Sequence, residues 1–148
     1  MRALVQRVAW AKVEVEGEVV GEIGRGLLVY LGAGKGDGDA ERAYVLGKVL
    51  GLRIFENDAG KMDHSIVDVG GSLLVVSQFT LYADLKRGRR PSFDGAMPPE
   101  DAERAYEAFV HEARAQKIMV ATGKFRANML VSSANEGPVT IWIDSAKE

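Results

Sequence analysis

Two short segments of this 148-residue chain gather groups that could act on a carbonyl or hold an ammonium ion. In Ser77-Gln78-Phe79-Thr80-Leu81, three polar side chains stand where the apolar run Leu73-Leu74-Val75-Val76 ends. A strand that ends at a surface can aim backbone N–H groups at a ligand, and such donors are what the oxyanion of acyl transfer requires. A strand terminus with internally satisfied polar groups accounts for the same residues. The second segment is Asn135-Glu136-Gly137-Pro138-Val139-Thr140. Glycine ahead of proline escapes the clash that restricts other residues there. With a cis bond, which is uncommon, the strand before it could offer backbone carbonyls to an ammonium group. With a trans bond the segment is a plain turn into an edge strand.

The side chains on which most hydrolases rely are scarce. There is no cysteine, which removes disulfides, thiolate metal sites and thiol nucleophiles. His111 lies beside the apolar face of a helix, where a partly solvated structural role fits. His64 sits near Asp58, Asp63 and Asp68 without a metal-ligand spacing of known type, so a polar loop is favoured. No metal or other cofactor is expected. A Ser-His-Asp triad need not be contiguous, and nothing in the sequence points to one.

Gly32-Ala33-Gly34-Lys35-Gly36-Asp37-Gly38 invites a phosphate-loop reading that fails twice. Gly36 stands where a magnesium-binding Ser or Thr is needed, and Val29 where the first glycine would be. The stretch is read as a flexible turn without a ligand, and nucleotide hydrolysis is not expected. Lys86, Arg87, Arg89 and Arg90 make the segment from Asp84 to Gly95 strongly basic. They suit RNA phosphates and suit an ordinary solvated loop equally well.

The elements that must position these groups follow from periodicity. Lys12 to Glu16 alternates valine with charge and predicts a half-buried strand, turned back at Glu16-Gly17-Glu18 into a second one. Leu27 to Leu31 and Leu73 to Val76 are short continuous apolar runs, the pattern of strands buried on both faces. Asp39 is placed to cap a helix with Ala43, Leu46, Val49 and Leu50 on its inner face. Ile54-Phe55 begins an extended segment. Pro98-Pro99-Glu100-Asp101 opens a second helix, whose buried face carries Ala102, Ala105, Tyr106, Phe109, Val110 and Ala113. Two or three strands close the chain, at Lys117 to Ala121, Asn128 to Ser132 and Val139 to Ile143.

Composition sets the outer bounds. The chain is 47% hydrophobic and 27% charged with a net charge of −2, values that exclude wholesale disorder and leave no global positive field. Any RNA contact must therefore be local. Met1 to Arg7 lacks the apolar stretch of a signal peptide, and no run approaches the roughly 20 apolar residues of a membrane span. A cytoplasmic protein with no membrane partner is expected, as one domain over residues 1–148.

Taken together, the segments resemble the D-aminoacyl-tRNA deacylase family over nearly the whole chain. The likeness opens with Arg2-Ala3-Leu4-Val5-Gln6-Arg7-Val8 and Gly26-Leu27-Leu28-Val29. It rests on Ser77-Gln78-Phe79-Thr80-Leu81, matching the family's Ser-Gln-Phe-Thr-Leu, and on Asn135 to Thr140, matching Asn-x-Gly-Pro-x-Thr. It implies an α/β fold with a mainly antiparallel, two-layer, barrel-like sheet and two longer helices outside. It also implies a homodimer with active sites at the subunit interface. A cis Gly137–Pro138 pair from one subunit would enter the partner's pocket, hold the substrate's amino group and block an L side chain. Ser77, Gln78, Phe79 and Thr80 would form the catalytic segment beside the terminal adenosine of tRNA. Phe125, Ala127 and Met129 would line the adjoining wall, Asn135 belongs to the second motif, and Arg7 would support the Gly-Pro loop. Where the family usually shows Gly-x-Phe-Gly-Ala-x-Met, this chain carries Arg126 in place of the second glycine.

The reaction implied is hydrolysis of the ester in D-aminoacyl-tRNA, and of Gly-tRNA, by water. Backbone N–H groups around Phe79 and Thr80 would hold the oxyanion, with help from the ribose 2′-hydroxyl. The rival within this class makes the Thr80 hydroxyl a nucleophile. Outside it stands a non-catalytic RNA-binding module that uses the arginine loop and the exposed strand ends.

Overall fold

The computed structural model describes residues 1–147. The first strand, β1 (Arg2–Val15), is long and pairs on both edges. One edge takes β3 (Gly26–Gly32) and then β2 (Glu18–Ile23), and the other takes β8 (Leu130–Asp144), all antiparallel. From β3 the sheet continues through β6 (Ser72–Ser77) to β7 (Met119–Thr122), and both of these pairings are parallel. The expected α/β architecture with a curled, barrel-like sheet is present. Its pairing is mixed, and the second sheet is only a ribbon of β4 (Phe55–Glu56) and β5 (Met62–His64).

The apolar runs of β3 and β6 are continuous because both faces are covered. Leu27, Val29, Leu73 and Val75 face a core closed by the two helices, α1 (Asp39–Gly51) and α2 (Pro99–Ala115), through Val45, Val49 and Phe109. Leu28, Leu74 and Val76 face a smaller core formed with Val8, Ala11, Val13 and Ile23. An irregularity in β1 between Val8 and Trp10 makes this possible. Before it Ala3 and Val5 point toward the helices, and after it Ala11 and Val13 point into the smaller core. An inserted residue reverses the alternation and bends the strand, so the sheet curls over its own second face.

Some boundaries differ from the sequence reading. The first helix is entered at Gly38, whose N–H donates to the Glu41 carboxylate at 2.9 Å. Asp39 lies one residue inside and pairs with Arg42. The two C-terminal segments read as separate strands are one 15-residue strand, because β1 pairs with it on both sides of residues 136–139. No helix among the described residues is long and apolar enough to cross a membrane.

Closure of the curl brings β2 against β7. A Cβ on Gly21 would lie 2.1 Å from the Thr122 carbonyl oxygen, a backbone atom that cannot yield without separating the strands. Gly21→Ala is expected to destabilise the fold by about 1–3 kcal/mol, seen as a lowered Tm. Gly24→Ala, with nothing within 4 Å of the added carbon, should leave Tm almost unchanged.

Candidate functional site

The parallel strands β3 and β6 end side by side, Leu31 opposite Ser77. Ligands of α/β sheets commonly bind beyond the carboxyl ends of such strands, and here a cavity of about 680 Å³ opens there. Ser77, Gln78 and Phe79 form one wall, and Phe125, Ala127 and Met129 another. Two sequence-distant groups are thereby brought together. Among the described residues lining the cavity there is no carboxylate, imidazole or thiol.

The segment Ser77-Gln78-Phe79-Thr80 is shaped by what happens to the backbone after Ser77. The Gln78 N–H still bonds to the Leu31 carbonyl at 2.8 Å, as if β6 continued, and the chain then folds into a 3-10 turn over Phe79–Tyr82. The N–H groups of Phe79 and Thr80 begin that turn, where a helix has no acceptors of its own to offer. Arg2 fixes the far end: its Nη1 donates to the Leu81 carbonyl at 2.9 Å, and its guanidinium lies 4.3 Å from the centre of the Tyr82 ring. The Thr80 hydroxyl accepts from the Gln78 side-chain amide. Phe79 remains 55% exposed, its ring edge-on to Phe93 at 4.9 Å.

The glycine-rich loop supports this rim, and it is tied rather than free. The Asp37 carboxylate accepts from the Gly34 N–H at 2.7 Å and pairs with the Met1 ammonium at 2.7 Å. Backbone bonds from Lys35 to Gly95 and from Met97 to Ala33 join the loop to the segment ahead of α2.

Arg7, Asn135, Gly137 and Pro138 do not line the cavity. They form a second cluster, on β8. Opposite β1, Gln6 pairs with Thr140 and Val8 with Asn135, so residues 136–139 bulge out opposite Arg7 alone. The Gly137–Pro138 bond is cis, and Gly137 has φ 120°, a conformation that favours glycine. The Asn135 side chain braces the bulge: its Oδ1 accepts from the Val139 N–H at 3.3 Å, and its Nδ2 donates to the Thr140 hydroxyl at 3.1 Å. Arg7, only 5% exposed, fills the gap from below and donates to the carbonyls of Ile54 at 2.6 Å and Glu136 at 3.3 Å. Gly137 and Pro138 themselves face outward.

His64 and His111 lie away from the cavity, and no group of three His, Asp or Glu that could hold a metal occurs among the described residues. Sequence reasoning treated Tyr106 as core and passed over Phe93. Tyr106 lines the cavity floor, and its hydroxyl donates to the Val75 carbonyl at 2.7 Å. A hydroxyl on an otherwise apolar helix face was the available signal, since a buried Tyr needs a partner.

The pocket thus combines hydrogen-bond donors with apolar walls and shows no carboxylate, imidazole or thiol among its described lining residues. Comparison with known proteins then supplies the family. The sequence profile of the D-Tyr-tRNA(Tyr) deacylase family matches residues 4–144, and the chain belongs to that family. A protein of Heliobacterium modesticaldum called D-aminoacyl-tRNA deacylase is 56% identical over 144 residues, covering 97% of this chain and 96% of that one. One of the same name from Sorangium cellulosum is 55% identical over 148 residues, covering 99% of each. The solved structure of the c-Myc DNA Unwinding Element Binding Protein shares 41% identity, with a TM-score of 0.92 over 97% of this chain and 98% of that chain. A probable eukaryotic D-amino acid tRNA deacylase, 19% identical with a TM-score of 0.82 over 96% of this chain and 97% of its own, shares the fold.

Burial pushes the Tyr106 phenol up to about 12. The folded state thus holds this proton more tightly than the unfolded chain, whose tyrosine titrates near ~10. The associated stability is complete below that value and is lost as pH rises toward the folded-state pKa. Tyr106→Phe should cost about 0.5–1.5 kcal/mol at neutral pH through the lost hydrogen bond, and it should make the alkaline decline in Tm shallower. An unchanged alkaline limb would contradict this assignment.

Proposed function

We propose that the protein hydrolyses the ester joining a D-amino acid, or glycine, to the terminal adenosine of tRNA, releasing the free amino acid and intact tRNA. The observation that carries this reading is the composition of the cavity, which holds no side chain able to serve as base or activated nucleophile. An aminoacyl ester is already activated, so orientation and oxyanion stabilisation suffice for its cleavage. The half-exposed Phe79 presents a face on which adenine stacks. The N–H groups of Phe79 and Thr80, at the start of the 3-10 turn, receive the charge that develops on the carbonyl oxygen. Water attacks the carbonyl carbon, the bond to the ribose oxygen breaks, and the neighbouring 2′-hydroxyl relays the proton. Thr80 is not the nucleophile in this scheme: its hydroxyl is paired with the Gln78 amide, with neither carboxylate nor imidazole bonded to it. The work belongs in the cytoplasm, where tRNA is charged.

Handedness requires the second cluster. Within one chain the Gly137–Pro138 bulge and the cavity are separate, and the bulge lies exposed on β8 near Trp142, itself 45% exposed. In a homodimer, this pair from one protomer enters the cavity of its partner. Backbone carbonyls there bind the substrate's ammonium and leave no room for an L side chain. Glycine, with no side chain to exclude, passes the same filter.

With D-Tyr-, D-Asp- and Gly-tRNA the expected result is release of free amino acid, while the L-aminoacyl-tRNAs stay intact. Thr80→Ala should retain near-normal turnover, and complete loss would establish the hydroxyl as nucleophile. A non-catalytic nucleic-acid binder would instead protect the ester. That reading is favoured by the arginine-rich loop and by the DNA binding for which the 41%-identical protein is named.

The dimer has its own test. Phe79→Ala spoils the pocket but not the bulge, whereas Gly137→Ala puts a Cβ 2.9 Å from Arg7 Nη2 and spoils only the bulge. Mixed and re-equilibrated in equal amounts, the two inactive variants should recover about a quarter of wild-type activity, because half the dimers carry one intact composite site. No recovery, with exchange verified by mass, would place both parts of a site on one chain.

A further inference from the structure

The chain contains eleven arginines. Seven of them are engaged within the protein. Arg2, Arg7, Arg42, Arg53 and Arg104 have ion pairs, Arg25 lies over the Phe55 ring, and Arg114 donates to the Val120 carbonyl. The other four, Arg87, Arg89, Arg90 and Arg126, have no ion pair, hydrogen bond or ring partner among the described residues. One of them, Arg126, lines the cavity, and the other three share a loop that leads directly into its lining. The other three, with Lys86, occupy a loop whose base is closed by reciprocal backbone bonds between Asp84 and Ser92 at 2.8 and 2.9 Å. The next residue, Phe93, lines the cavity and packs against Phe79. The Asp84 carboxylate accepts from the loop's own Lys86 N–H.

Arginines elsewhere are spent on internal contacts in a chain whose net charge is −2, so this concentration is local. Arg126 adds a second argument. Its φ is 66°, a left-handed conformation that costs a residue with a Cβ roughly 1–2 kcal/mol relative to glycine. A long cationic side chain is held there, lining the same cavity as Phe79. Planar guanidinium groups with free donors suit phosphate oxygens, and an aromatic face next to cations is how proteins hold single-stranded nucleic acid.

We infer that Lys86, Arg87, Arg89 and Arg90, with Arg126 across the mouth, clamp the phosphodiester backbone of the RNA whose acylated terminal nucleotide occupies the cavity. The inference rests on the reading of that cavity as an aminoacyl-adenosine site and extends it outward. The cavity reads the acyl group and the last base, while the rim supplies affinity for the strand leading into it, irrespective of sequence.

Two substrates separate the clamp from the chemistry: full-length D-tyrosyl-tRNA, and 3′-D-tyrosyl-adenosine, which carries no phosphate. In the triple variant Arg87→Gln/Arg89→Gln/Arg90→Gln, KM for the tRNA should rise at least about tenfold with kcat little changed. The slope of log(kcat/KM) against log salt should become shallower by about 2, at roughly 0.7 for each single-strand phosphate no longer neutralised. Hydrolysis of the phosphate-free substrate should match wild type. Unaltered KM and salt slope with tRNA would overturn the clamp and leave the deacylase reading standing. Parallel loss on both substrates would also overturn it, by showing that the loop merely shapes the pocket. Failure of the wild-type protein to cleave either substrate would instead remove the deacylase reading.

Discussion

The parallel pairing of two strands buried on both faces is the constraint from which the site follows. Neither β3 nor β6 has a solvent-facing side, so polar groups can be offered only where the strands stop. They stop together, at Leu31 and Ser77. Beyond that line the helical layer and the curled half of the sheet no longer meet, and the gap between them is the cavity. Val75, two residues before the end, accepts hydrogen bonds from Tyr106 and from Gly123. The strand end is thus anchored to the helix on one side and to the segment after β7 on the other. A site that works by orientation needs such a rigid margin more than it needs reactive side chains.

The same economy appears in the second cluster. The bulge of β8 is held from its flanks by Asn135 and from beneath by Arg7, while Gly137 and Pro138 carry no hydrogen-bonding side chain and project outward. Supporting polar groups face inward, and Gly137 and Pro138 are exposed. For selection by handedness this arrangement has a physical advantage. A fixed backbone wall cannot adjust to admit a side chain, as a flexible polar side chain could. In both clusters, side chains brace the main chain: Arg2 at the Phe79–Tyr82 turn, Arg7 and Asn135 at the bulge of β8.

Charge is distributed along the same lines. The cavity walls are mainly apolar, with low-dielectric surroundings in which backbone dipoles count for more than they do in water. Arg126 is part of the cavity's lining, and the remaining cations stand on the tethered loop that leads to Phe93. Cations concentrated beside an opening raise the local concentration of a polyanion there.

Much of this was legible in the chain itself. The double-faced burial of Leu27 to Leu31 and of Leu73 to Val76 followed from their unbroken apolar pattern, and the start of α2 followed from Pro98-Pro99 and the acids after them. Both motifs stood out because their residue types are costly or unusual at a strand end and ahead of an edge strand. Apart from the entry of α1 at Gly38, what was missed depended on a distant partner. Asn128 to Ser132 and Val139 to Ile143 read as two strands because residues 136–139 break the local pattern, yet β1 pairs with both sides and makes them one. Gly32 to Gly38 read as flexible, yet Asp37 and the segment before α2 tie it down. Tyr106 read as core and is core, and only the folded chain shows that its hydroxyl also reaches the Val75 carbonyl beside the cavity. Local sequence determined which segments were strands, helices and motifs, because periodicity and backbone preference act over a few residues. Only the tertiary structure decided that Ser77 to Phe79 and Phe125 to Met129 share one cavity while Gly137 and Pro138 stand apart from it, because strand order and the bend in β1 are set by contacts between residues far apart along the chain.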